Sequence, residues 1–167
     1  MGRLVQEVKI WNTPLIGAYL LWRFTQGYSN NHPKGEAPIA ILHFIAIAIL
    51  TNNRLLDAIS NRREGLQSYI RSFEDNKDID LLLSIHSKVG ERKSYTLKAI
   101  DIAVGQGLLI WDPTSGRIYP CDLVKRASNG KALKNKIKRE GDKAEILGKW
   151  FSKHDIPTIT TYLKVVL

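Results

Sequence analysis

Ser94-Tyr95-Thr96-Leu97-Lys98-Ala99-Ile100-Asp101-Ile102-Ala103-Val104-Gly105 is followed, after Gln106, by Gly107-Leu108-Leu109-Ile110-Trp111-Asp112-Pro113-Thr114-Ser115-Gly116-Arg117-Ile118-Tyr119-Pro120. The first part sets Leu97, Ile100, Ala103 and Val104 at helical spacing, and glycine closes it. The second part changes period. Gly107 to Trp111 is a short β-rich run, Asp112 to Gly116 is a turn, and Arg117 to Pro120 is a return strand. Helices followed at once by a small hairpin have the order of a winged-helix unit. The expected fold is therefore mainly α with a small β-hairpin wing, a winged-helix-like single domain over residues 1–167. Ser94 to Gly105 would be the recognition helix if such a unit bound DNA in the usual way. It offers only Lys93 and Lys98 as cations, with Asp101 opposing them, which is poor equipment for reading a major groove. Docking on protein suits it better.

Upstream of the wing, Thr13-Pro14 starts a helix, with proline in the first turn where its missing donor costs nothing. Leu15 to Tyr28 continues it, apolar on nearly every side and interrupted mainly by Arg23. A helix apolar all round must be covered all round, either at the centre of the fold or by another subunit. Tyr28 to Glu36 is a polar loop, and Pro38 opens a second apolar helix, Ile39 to Leu50. Short helices are expected over Asn53 to Ser60 and Gly65 to Glu74, then Ile79 to Ser87 with Leu82, Leu83 and Ile85 toward the core.

Downstream comes a basic helix, Lys131 to Arg139, expected to break near Gly141. The next helix has Asp142 and Glu145 in capping-box positions. Around it Ala144, Ile146, Leu147, Gly148, Trp150 and Phe151 cover an arc of about 200°, roughly twice what a surface helix needs. The excess either packs internally or meets a partner. Candidate partner contacts are Trp11, Tyr19, Trp22, Ile146, Trp150 and Phe151, since aromatic side chains dominate interface energetics. Thr158 to Leu167 is β-prone, a final strand or a short helix.

Composition narrows the function classes. The chain has 167 residues, 44% of them apolar, enough for one core without disulfides or metal. The lone Cys121 excludes a disulfide framework and multi-cysteine zinc patterns, and it fits a reducing cytoplasm. Met1-Gly2-Arg3-Leu4-Val5-Gln6-Glu7 is no signal peptide. Ala37 to Leu50 is too short to cross a bilayer, which needs about 20 helical residues. A cytoplasmic protein with no membrane role is expected. Lys and Arg number 25 against 16 Asp and Glu, a net charge of +9 that favours an anionic partner. The excess is concentrated between Lys125 and Arg139, which contains no acid. Candidate nucleic-acid contacts there are Lys125, Arg126, Lys131, Lys134, Lys138 and Arg139, with Lys136 in the same run. A solvated loop and helix face is the plain alternative.

Nothing assembles into chemistry. His32, His43, His86 and His154 have no metal-ligand spacing, and His43 reads as a satisfied core histidine. Lys93-Ser94 has no partner motif. Gly105-Gln106-Gly107 follows a helix rather than a strand and cradles no phosphate. No Walker lysine is present. A metal-dependent nuclease needs converging carboxylates. Asp78 and Asp80 read instead as a helix entry, Asp112 as a turn residue, and Asp142 of Glu140-Gly141-Asp142-Lys143 as a cap. The expectation is a chain that is not an enzyme and takes no cofactor and no metal.

Three segments together carry a resemblance. They are Trp11-Asn12-Thr13-Pro14-Leu15-Ile16-Gly17-Ala18-Tyr19-Leu20-Leu21 running into Gln26-Gly27-Tyr28, the hairpin from Gly107 to Pro120, and Lys143-Ala144-Glu145-Ile146-Leu147-Gly148-Lys149-Trp150-Phe151 closed by Ile156-Pro157-Thr158. In this order the chain resembles the small middle component of bacterial three-component ABC-ATPase systems, the group that includes Lamassu-type defence operons. The resemblance implies a non-catalytic accessory subunit. Its partners would be a long coiled-coil ATPase related to structural-maintenance-of-chromosomes (SMC) proteins and an effector, often a nuclease. It would meet foreign DNA, of phage or plasmid origin, through the assembly. Thr160 to Leu167 lacks the family's Gly-Val-Arg-Pro-like close, so contacts of that tail do not carry over. The alternative is a free-standing winged-helix transcriptional regulator that binds an operator as a dimer.

Overall fold

A computed structural model describes residues 13–121 and 135–167. Among them the helices are α1 (Pro14–Asn31), α2 (Ala40–Leu50), α3 (Asn53–Asp57), α4 (Leu66–Asp75), α5 (Ile79–Glu91), α6 (Lys93–Gly105), α7 (Asn135–Phe151) and α8 (Ile156–Tyr162). Strands β1 (Leu109–Asp112) and β2 (Arg117–Pro120) lie between α6 and α7 and pair antiparallel. The fold is mainly helical with one small hairpin, as the change of period at Gly107 predicts.

The local chemistry explains where elements stop and start. Pro14 occupies the first turn of α1, and the Asn31 side chain closes the helix by donating to Gly27 O at 2.7 Å. That carries α1 three residues past Tyr28. Asn52 caps α3, its side chain accepting from Leu55 N at 3.1 Å, and Asp155 caps α8 by accepting from Thr158 N at 2.9 Å. The C-terminal stretch therefore opens as a helix rather than a strand, and its buried Ile159, Leu163 and Val165 join the core. In the hairpin, Gly116 takes φ 71°, a left-handed conformation that a turn demands and glycine supplies without strain. Asp112 accepts from Thr114 N and Ser115 Oγ inside that turn.

One hydrophobic cluster runs through all the helices and the hairpin. At its centre lies α1, which buries Ile16, Ala18, Leu20, Leu21, Trp22, Phe24 and Tyr28. Of the two covers foreseen for a helix apolar all round, the chain itself provides the one that buries these residues. α6 flanks one side, with the ring of Tyr95 and Ala99 against Gly17. α7 flanks another in the most extensive helix contact of the structure. The two helices run in the same sense, Tyr19 beside Gly141 at one end and Tyr28 beside Gly148 at the other. Glycines allow this approach. A methyl at Gly27 would meet the backbone carbonyl of Glu145, and one at Gly148 would meet the carbonyl of Phe24.

Two readings of this region are corrected. Gly141 does not break the helix: α7 passes through it, and the glycine is buried because the Tyr19 ring rests on it. Asp142 and Glu145 do not form a capping box, because they sit mid-helix, one turn apart. Both carboxylates receive Nη2 of Arg23, which lies on α1, and Tyr19 Oη accepts from Arg23 Nη1 at 3.2 Å. Burial alone would lower the Arg23 guanidinium, but its bonds to Glu145, Tyr19 and Asp142 outweigh that and raise it. The main polar interruption of α1 is thus the tie to α7.

Candidate interaction surfaces

Most of the aromatic side chains expected to face a partner face inward. Trp22 is 3% exposed, Trp150 4% and Phe151 0%. Trp22 donates its indole N–H to Cys121 O at 3.4 Å, which fastens the end of the hairpin to α1. Phe151 meets Phe24 edge-on at 5.5 Å between centroids, and Trp150 lies 5.5 Å from Tyr69. Tyr19 is half-buried beneath Gly141. Ile146 is also half-buried, in a hollow otherwise lined by Asn31, Asn61, Asp142, Glu145 and Lys149. The wide apolar arc of α7 is therefore taken up largely within the chain, chiefly by α1, and Trp22, Trp150 and Phe151 are corrected from partner contacts to core positions, while Tyr19 and Ile146 stay part-exposed. The physical reason is that α7 is wedged between neighbours, so it buries more than one stripe. Trp11 lies outside the described residues.

The exposed apolar surface is elsewhere, on α6 and the hairpin. Of the four residues set at helical spacing, Ile100 and Ala103 are buried, while Leu97 and Val104 are 44% and 40% exposed, because the buried face of α6 is completed by Thr96 and Ala99. On α5, Leu83 likewise points outward at 49%, while Leu82 and Ile85 are buried. On the hairpin Leu109 and Ile118 are buried, while Ile110, Trp111 and Tyr119 are exposed. Ile110 and Tyr119 are opposite each other across the strands. Trp111 closes a shallow groove of about 430 Å³ whose other walls are Leu97, Lys98, Ile100, Asp101 and Val104. Single exposed apolar residues mean little, but Leu97, Val104 and Trp111 line one groove, the kind of grouping that interaction surfaces show, while Ile110 and Tyr119 form a separate exposed pair on the other face of the hairpin. Strand alternation could have flagged Ile110 and Tyr119; nothing in the periodicity of α6 tells which of its two apolar flanks is covered.

The basic run is only partly described. Lys125, Arg126, Lys131 and Lys134 lie outside the described residues. Lys138 and Arg139 are exposed in the first turns of α7, whose first turn holds no acid. Cations at a helix N-terminus oppose its dipole, so they are not there for the helix's own stability.

Residues weighed for chemistry are dispersed. Among the described residues no three His, Cys, Asp or Glu side chains come together as metal ligands. Asp78 pairs with Arg54 at 3.0 Å. Lys143 is turned to α3, where Nζ donates to Leu56 O, Asp57 O and Ile59 O at 3.2, 3.2 and 3.0 Å. It caps a short helix from a distance. His43 is buried between Thr25 Oγ1, 2.9 Å from its Nε2, and Ile39 O, 3.3 Å from its Nδ1. Thr25 Oγ1 also donates to Leu21 O at 2.6 Å, and burial depresses the pKa of the His43 ring to about 4. Among the described residues no helix is long and apolar enough to cross a membrane.

The family model of the ABC-three component (ABC-3C) system Middle Component 3 matches residues 1–167. The chain belongs to this family. As a middle component it has partner components, and the family points to an accessory role beside them. No curated protein and no solved structure matches it.

Proposed function

We propose that this middle component is a non-catalytic cytoplasmic adaptor between an SMC-like coiled-coil ATPase and an effector, such as a nuclease, in a Lamassu-type defence against phage or plasmid DNA. The observation that carries the adaptor reading is the outward apolar set on α6 and the hairpin, Leu97, Val104, Ile110, Trp111 and Tyr119. A subunit of a three-component system needs such a surface, and a free-standing regulator would need cations where Leu97 and Val104 stand. DNA held by the assembly would meet the run from Lys125 to Arg139, which can grip phosphate without reading sequence.

The test is recovery of the chain, tagged at its native locus, with mass spectrometry of what accompanies it. The adaptor reading expects a long coiled-coil ATPase and a second, effector-like protein. Leu97→Glu combined with Val104→Glu should release at least one of them. The fold should survive, since exposed positions change stability by about 0.5 kcal/mol or less each. Recovery of the chain alone, or only with itself, would overturn the adaptor and make operator binding the next test.

A further inference from the structure

The hairpin has one closed edge and one open edge. On the closed side, Ile118 N donates to Pro38 O at 3.0 Å and Ala40 N to Gly116 O at 2.9 Å, so the segment before α2 runs along β2 as a partial third strand. On the other side lies β1. Its register is Leu109 opposite Pro120, Ile110 opposite Tyr119, Trp111 opposite Ile118 and Asp112 opposite Arg117. Backbone groups in an antiparallel pair point alternately toward the partner and away from it. Cys121 N donates to Leu108 O at 2.9 Å, which places residues 108, 110 and 112 among those that bond to β2. Ile118, opposite Trp111, turns its own N–H to Pro38, which agrees. Pro120, opposite Leu109, has no N–H to offer β1 and loses nothing by it. The N–H and C=O of Leu109 and Trp111 therefore point outward, and among the described residues no strand pairs with that edge.

Edges left open are ordinarily blunted with lysine, proline or a bulge, because they template pairing with other chains. β1 is short and is closed at its far end by Asp112 and Pro113, so it can pair over only a few residues, but at its middle it has no lysine or bulge and places apolar Ile110 and Trp111 there. Beside it lies the groove walled by Leu97, Val104 and Trp111, ready to take an apolar side chain. We infer that the outer edge of β1 receives an extended apolar segment of a partner component, which adds a strand to the hairpin. Backbone bonds at Trp111 set its register, and the α6 groove takes one of its side chains. This rests on the adaptor reading above and names how the adaptor grips.

Trp111 makes the test possible. Its N–H is not used within the hairpin, so proline is tolerable there as at other edge positions. Trp111→Ala removes the side chain and keeps the donor; Trp111→Pro removes both. With the assembly purified from its native locus, the strand-addition mode expects Trp111→Pro to retain up to roughly tenfold less partner than Trp111→Ala, the loss of one backbone bond. Amide hydrogen exchange gives a second readout that needs no variant: the Trp111 amide should exchange fast in the free chain and become protected in the assembly. Equal retention by the two variants, with unchanged exchange at Trp111 in an intact assembly, overturns strand addition and leaves the adaptor standing. A Trp111 amide already protected in the free chain overturns it too, by showing the edge closed from within. If no component accompanies the chain, the adaptor reading falls and takes this inference with it.

Discussion

His43 shows how one buried polar residue sets a pH limit on the fold. It lies in the middle of α2, the most apolar helix, held between the Thr25 hydroxyl and the Ile39 carbonyl. Its pKa of about 4 lies below the ordinary 6.5, so the unfolded chain takes up the proton first. Stability is fully present above pH 6.5 and is lost as the pH falls toward 4, by roughly 3 kcal/mol over that window. Urea midpoints measured between pH 4 and 7 should show this slope, and His43→Gln should flatten it. The glycines make the opposite point, that absence of a side chain can be structural. Gly148→Ala drives a methyl into the Phe24 carbonyl and should cost about 1–3 kcal/mol as overpacking. Gly90→Ala, which meets nothing within 4 Å near the end of α5, should gain about 0.5–1 kcal/mol. Thermal unfolding of both variants checks the pair. His43 as a core residue was legible from its apolar surroundings. Gly141 was not: its helix-breaking tendency is a local property, whereas its role is a contact with Tyr19 that lies more than a hundred residues away in sequence. Its spacing of seven from Gly148, with Ala144 between, is the small-residue stripe that could have suggested it.

At the scale of elements, periodicity and turn chemistry placed the return strand at its residues, the first strand within two residues of its bounds, and the helices in order around them. They failed where an element has neighbours on two sides. α7 is wide in its apolar arc because α1 and α4 both press on it, and a sequence gives the width without the number of neighbours. The Asp142 and Glu145 pair fits a capping pattern only until Arg23 is brought across from α1. Lys143 links elements in the same way, adding donors to carbonyls at and just past the end of the five-residue α3. Lys143→Met keeps the stem and removes the three donors. It should destabilise by about 1–3 kcal/mol, and faster amide exchange confined to residues 53–59 would locate the effect.

For the molecule as a whole, charge was readable at once and shape was not. A net charge of +9 with a cationic run ending at Arg139 requires only counting. Its effect belongs to the assembly. Changing Lys134, Lys138 and Arg139 to Glu should weaken DNA binding by the purified complex and lower its salt slope by about 0.9 for each phosphate no longer neutralised. The complex itself should remain together, and an unchanged slope would make the run a solvated face. Which apolar residues stay exposed was hidden because burial is decided by packing: Trp22, Trp150 and Phe151 were candidates for a partner by type and are buried, whereas Leu97 and Val104 share a helical spacing with buried Ile100 and Ala103 and are exposed. The pairing of α1 with α7 also bears on how the chain is made. More than a hundred residues separate Asn31 from Asn135, so at roughly 5–20 residues per second α7 leaves the ribosome about 5 to 20 seconds after α1. For that interval the most apolar side of the first helix has no cover of its own. The core of a nascent middle component can close only once Gly141 and Gly148 have been made.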